Sequence, residues 1–170
     1  MSADKKYLKW CVKQKKGIKL VNESENLQKA YLKKSKTALQ SMEVNANAGL
    51  DEWTISASYY AKYFVIYALL SRIGIKCEIH DCTIALFSYL FGNDITPQLI
   101  QDLRQAKEDR VDAQYYSAEV KIDSSVTVAK TKEFVIKIEE IIDGLNPQKI
   151  ADIKNTQDHT MISGGTKLIA

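Results

Sequence analysis

Arg72, Lys76, His80 and Asp81 fall within one short polar stretch, S-R-I-G-I-K-C-E-I-H-D, set between two apolar segments. His80 is one of only two histidines in the chain. A histidine and cations at a helix start suit phosphate chemistry. The imidazole exchanges a proton near neutral pH, the cations hold an anion, and the first amides of the helix point at it. The same residues have a plainer reading. His80 can cap the helix or sit half-buried against it, and Arg72 is a favourable charge at a helix C-terminus. His159 stands in a polar tail, away from this chemistry. Cys77, His80 and Cys82 lie close together, but a zinc site needs four ligands, and Cys11 and His159 are distant in sequence. No metal and no cofactor is therefore expected. Tyr59, Tyr60, Tyr63 and Tyr67 could stack bases, yet at helical spacing they read first as core. The chain has no P-loop, glycine-rich dinucleotide loop or G-x-S-x-G.

The elements that must position this stretch are helices. With 7 Gly and 2 Pro in 170 residues, turn formers are too few for a many-stranded sandwich or barrel. A short basic helix is expected over 5–14, then a turn at Gly17. A longer helix over 24–45 carries Leu27, Tyr31, Ala38 and Met42 at helical spacing, with Asn22 or Ser24 as its cap. Gly49 should stop it and Asp51 should cap the next. The third helix, 52–72, is apolar nearly all round, which makes it central or shared with a second subunit. Gly74 ends it. Ile84, Phe87, Leu90 and Phe91 mark a fourth helix from about 81, closed by Gly92-Asn93-Asp94.

Thr96-Pro97 reads as an N-cap with proline in the first turn, opening a polar helix to about 111 with Leu99, Leu103 and Ala106 inward. Asp123 or Ser124 starts a last long helix. Its stripe is Val128, Phe134, Val135, Ile138, Ile141, Ile142 and Leu145, and Glu133 lies four residues before Lys137. No strand pattern stands out. The fold class is all-α: an antiparallel up-and-down bundle of about five main helices plus short terminal ones. The division expected is a basic segment 1–22, a helical domain 23–146 and an extension 147–170 whose polar end should fray.

Formal net charge is +3, but its distribution is uneven. Residues 1–37 hold eleven lysines against Asp4, Glu23 and Glu25, a balance of +8, and the remainder carries −5. That end attracts a polyanion such as RNA, or an acidic partner, unless it is a solvated helix face. Three cysteines, an odd number, do not suggest a disulfide framework. The first 19 residues have no continuous apolar run. The segment 55–70 contains Lys62, two serines and four tyrosines, too polar for a membrane span. A soluble, cytoplasmic protein with no membrane association is expected.

The pattern A-x-Y-Y-A-x-Y-x-x-x-Y-A-L-L from Ala57, then G-I-x-x-x-x-H from Gly74, then I-A-L-F from Ile84, resembles the HEPN domain family. The segment A-K-E-D-R-V-D-A-Q-Y-Y from Ala106 is similar to that family's arginine-to-tyrosine segment, with Gln114 where aspartate is usual. F-V-I-K-I-E-E-I-I from Phe134 fits its last helix. The likeness covers roughly 25–145, and order and spacing carry it rather than any single motif. Within that family the chain resembles the small single-domain HEPN proteins often encoded beside a minimal nucleotidyltransferase.

That resemblance implies an antiparallel helical domain that dimerises through its central helices. It also implies a nucleotidyltransferase-like partner and either metal-independent ribonuclease activity of toxin type or non-catalytic binding of nucleotide or RNA. The family's signature is an arginine, four to six residues, then a histidine; here seven residues separate Arg72 from His80. Lys76 comes closer, with three between. In members silenced by nucleotidyl transfer, a tyrosine two residues past the histidine is modified; here that residue is Cys82.

Cleavage without a metal needs a base for the 2′-hydroxyl proton and a cation for charge on the phosphoryl oxygens. On this reading His80 is the base and Arg72 the stabiliser. Lys76 or Arg110 assists in holding substrate, and Asp81 or Glu78 orients the imidazole or caps the helix.

Overall fold

The computed structural model describes residues 3–115 and 121–161, with side chains over 5–115 and 121–155. Seven helices appear in the order α1 (Ala3–Lys13), α2 (Glu25–Asn47), α3 (Asp51–Arg72), α4 (His80–Phe91), α5 (Pro97–Tyr115), α6 (Ser124–Asp143) and α7 (Pro147–Met161). The all-α bundle read from the sequence is what forms. Tyr116 and the tail 162–170, including Gly164-Gly165, lie outside the described residues, as does the side chain of His159.

Local chemistry sets most of the helix ends. The Ser24 hydroxyl accepts from the Leu27 amide at 3.1 Å and starts α2. Asp123 accepts from the amides of Ser125 and Val126, both at 3.1 Å, and starts α6. Thr96 precedes Pro97 at the opening of α5, which runs on past 111 to Tyr115. One cap differs from expectation. Leu50, with no side-chain bond, precedes α3, and Asp51 is its first helical residue. The carboxylate instead accepts from the Ser124 hydroxyl at 3.1 Å and favours the positive helix end. The expected Glu133–Lys137 pair does not form; Lys137 bonds Glu140 at 3.0 Å.

α3 is the central element, packed by α2, α5 and α6. Its side chains are buried around most of the circumference, from Thr54 to Ser71. Small polar residues let neighbours approach closely: the Ser35 hydroxyl donates to the Ala61 carbonyl at 2.8 Å, and the Ser58 and Thr131 hydroxyls bond at 2.7 Å. The main core joins Leu69, Ile73, Phe87, Phe91, Phe134 and Ile138, all 0% exposed. Each such side chain contributes roughly 1.5–3 kcal/mol. A separate small cluster, Tyr59, Tyr63 and Ala106 with Tyr60 and Tyr67 against it, fills the space between α3 and α5.

A two-stranded antiparallel pairing, absent from the sequence reading, joins β1 (Lys19–Leu20) to β2 (Ile75–Lys76). Two residues per strand are too few to show an alternating pattern. At the turn before β2, Gly74 has φ +74°, and a Cβ there would lie 2.6 Å from the Val21 carbonyl oxygen. Both conditions require glycine. The pairing holds the chain between α3 and α4 against the N-terminal segment.

Candidate functional site

The α3–α4 connection runs back alongside α3, and this return sets the site. Tyr67 donates to the Cys77 carbonyl. The Thr83 hydroxyl donates to the carbonyls of Cys77 at 3.2 Å and Ile79 at 3.1 Å, and lies 3.4 Å from the Tyr63 hydroxyl. Further along, the His80 Nδ1 lies 2.6 Å from the Tyr59 hydroxyl. Tyr59, Tyr63 and Tyr67 recur every four residues and so share one face of α3. That face, one turn after another, pins the connection and delivers His80 to the first position of α4.

His80 is half-buried, its ring stacked on Tyr63 with centroids 4.1 Å apart and 24° between planes. Nδ1 is engaged by Tyr59, so Nε2 is the ring nitrogen left for a ligand. Burial, and then the positive charge of Arg110, pull the His80 pKa below its ordinary 6.5. The imidazole is therefore neutral at neutral pH. Burial pushes the Tyr59 phenol up, so it stays protonated.

Arg110, from α5, is the cation whose charge acts most strongly on His80. Its Nη2 donates to the Tyr60 hydroxyl at 3.0 Å, and its guanidinium carbon lies 5.3 Å from the Tyr60 ring centroid and 5.8 Å from that of Tyr59. Its Nε–H is buried and has no acceptor. Among the described residues no carboxylate pairs with it. Ile79, the residue before α4, makes no side-chain cap bond, so the first amides of the helix have no side-chain acceptor from it.

Asp81 neither orients the imidazole nor caps the helix. It pairs with Lys107 of α5 at 2.7 Å, tying the start of α4 to the turn of α5 before Arg110. Glu78 pairs with Lys76 at 2.7 Å. Lys76 is exposed on β2, and it is not among the charges acting on His80, which are Arg110, Asp81 and Lys107.

The structure does not bring Arg72 to His80 within one copy. Its guanidinium lies 3.4 Å from Glu23 and 3.8 Å from Glu25. Arg72 lies thirteen steps along α3 from Tyr59, roughly 20 Å along the axis. Because the connection is extended and returns along α3, eight steps in sequence become a long separation in space. Sequence reasoning missed Lys107 and the Tyr59 bond to His80. The signal was present: Lys107 and Arg110 are three residues apart, on one face of α5.

The cysteines also differ from expectation. Cys11 and Cys82 form a disulfide pair, with Cα atoms 5.7 Å apart and a sequence separation of 71. An odd total does not exclude one pair, and Cys77 is left as a buried thiol. Cys82, two residues past His80, is thus buried and linked. Among the described residues no group of His, Cys, Asp and Glu could hold a metal ion, and no helix is long and apolar enough to cross a membrane.

No curated protein matches the chain at a significant level. Residues 28–146, however, match the family model of the HEPN domain, a span that runs from α2 through α6 and includes His80 and Arg110. A helical bundle with this connection between its third and fourth helices, matched over most of its length, belongs to the HEPN domain family.

Proposed function

We propose that the protein is a metal-independent endoribonuclease acting as a homodimer, with His80 as general base and Arg110 stabilising charge on the phosphoryl oxygens. The HEPN domain carries a nucleotide- or RNA-related function in general. The observation that supports the finer reading is the buried Arg110 Nε–H, without an acceptor, beside a neutral imidazole whose Nε2 is unengaged. Buried donors are nearly always satisfied, so an orphaned one points to a missing acceptor. A phosphate oxygen fits it, since guanidinium forks match phosphate and the uncapped start of α4 adds amide donors.

In the reaction, Nδ1–H donates to Tyr59 and Nε2 takes the proton of the 2′-hydroxyl. The 2′-oxygen attacks phosphorus, the bond to the 5′-oxygen breaks, and that oxygen leaves with a proton. The products are a 2′,3′-cyclic phosphate and a 5′-hydroxyl. His80 is neutral in either copy and has no proton to give from Nε2, so the 5′-oxygen takes its proton from solvent and the imidazolium formed returns its own to water. The toxin-type role, with neutralisation by a nucleotidyltransferase-like partner, rests on the sequence resemblance. Cys82 offers no hydroxyl for nucleotidyl transfer, so such a partner would act by covering the site.

A second reading is a non-catalytic module that binds nucleotide or RNA and regulates a nucleotidyltransferase. It is favoured by the opposite proton arrangement at the same contact. When the Tyr59 phenol donates to Nδ1, Nε2 carries the proton and can donate to a phosphate but cannot act as base. Incubating the protein with RNA in EDTA separates the two. Cleavage that falls roughly 100-fold or more in both His80→Ala and Arg110→Ala supports the nuclease. RNA left intact by the wild type, but bound through Arg110, supports the module.

A further inference from the structure

Helix α1 lies outside the residues that match the HEPN domain, yet it is fixed against the site. Cys11 is joined to Cys82, two residues past His80. The Glu78 amide donates to the Lys16 carbonyl at 2.9 Å, and the Ile18 amide donates to the Cys11 carbonyl at 3.2 Å. At Gly17 a Cβ would lie 1.7 Å from that same carbonyl oxygen, so only glycine closes this turn. Two residues of α1, Leu8 and Cys11, are fully buried and dock it.

The exposed side chains of α1 are built differently. Tyr7 and Trp10 stack with centroids 5.6 Å apart and 16° between planes. Tyr7 is 39% and Trp10 48% exposed, so the pair does little for the core. Lys5, Lys6 and Lys13 are exposed on the same helix. Tyr7 lies one turn before Cys11 on the side that meets α4. Its phenol sits within the field of Asp81 and Lys107, the ion pair beside His80. An exposed aromatic stack flanked by lysines, on a helix disulfide-linked to the start of α4, matches what single-stranded nucleic acid needs. Flat rings take the bases, and ammonium groups follow the phosphates.

We propose that α1 is a stacking platform for single-stranded RNA: Trp10 and Tyr7 receive bases next to the phosphate held by His80 and Arg110, and the lysines of α1 track the backbone. This rests on the reading of His80 and Arg110 as a phosphate site.

Trp53→Phe leaves Trp10 as the single tryptophan of a chain that has two, and Trp53 is itself 62% exposed. In that background, oligouridylate is titrated while Trp10 emission is followed, and uridine monophosphate is titrated in parallel. Binding should quench Trp10. Trp10→Ala and Tyr7→Ala should each weaken oligouridylate roughly 5- to 100-fold, as loss of a base stack does, and leave the mononucleotide affinity unchanged. The quench is read on the intact platform, so it stands even where a truncation perturbs folding. Oligouridylate that binds through Arg110 without quenching Trp10, and equally well to Trp10→Ala, overturns the platform and leaves the phosphate site standing. Failure of the parent protein to bind either ligand overturns both.

Discussion

Two arginines, Arg72 at the end of α3 and Arg110 in α5, show how differently one residue type can be surrounded. Arg72 faces two carboxylates, Glu23 and Glu25, and sits where the helix dipole favours a positive charge. Its charge is compensated. Arg110 lies against two phenol rings, bonds one phenol hydroxyl and keeps a buried donor without an acceptor. Among the described residues no carboxylate compensates its charge. An arginine in a sequence motif therefore says little until its counter-charges are known. What separates a structural guanidinium from a ligand-binding one is whether the fold has already supplied the anion.

The sharpest way to break this comparison is to remove each arginine in turn. Arg110→Ala should lower mononucleotide affinity by roughly 100-fold, since an anion is then left without its guanidinium. Arg72→Ala should change it by less than about twofold, and calorimetric titration checks both. Loss of binding in Arg72→Ala, with Arg110→Ala unaffected, would restore the assignment read from the sequence.

Lys62 sharpens the comparison from another side. It is 6% exposed and lines a cavity of about 180 Å³ with Asp102, Asp109 and Lys130, and burial lowers its pKa to about 8. Here burial without a close partner costs stability. In the unfolded chain the amine binds its proton at the ordinary 10.5, so between pH 10.5 and 8 the unfolded state gains protons first. The penalty is then fully present below pH 8 and vanishes above 10.5. Lys62→Met should stabilise the protein at pH 7 by on the order of 2 kcal/mol, a gain that fades as pH rises through that window. Denaturant melts at pH 7 and pH 10.5 read it.

A smaller effect concerns His80. Its pKa lies below 6.5 because of burial and then the Arg110 charge, and Arg110→Gln removes the second cause. The imidazole should titrate higher in that variant, as followed by NMR with His159→Gln to leave one histidine. The same shift makes the fold lose stability as pH falls below 6.5, where the unfolded chain protonates first.

Much of this architecture was legible in the residues themselves. Ser24, Asp123 and Thr96-Pro97 mark helix starts because a cap is a contact between neighbours in sequence, and the α6 stripe reads directly because the helical period is local. Leu27 had the right spacing yet is 50% exposed, since periodicity names a face without saying how far the next helix extends along it. The site was half legible. His80 stood out by its rarity and its place at a helix start, and Arg110 entered as a substrate-binding residue. Lys107 and Tyr59 did not stand out, because their roles depend on α5 and α3 meeting at the start of α4.

The residues by themselves determined the helices, most of their caps, the apolar third helix and the position of His80, all consequences of hydrogen bonds and periodicities spanning a few residues. The tertiary structure decided which arginine meets the histidine, which cysteines pair across 71 residues and where the lysine-rich first helix lies. The physical reason is the return of the α3–α4 connection along α3. Packing against Tyr59, Tyr63 and Tyr67 carries His80 away from the arginine eight residues before it and towards the one thirty residues after.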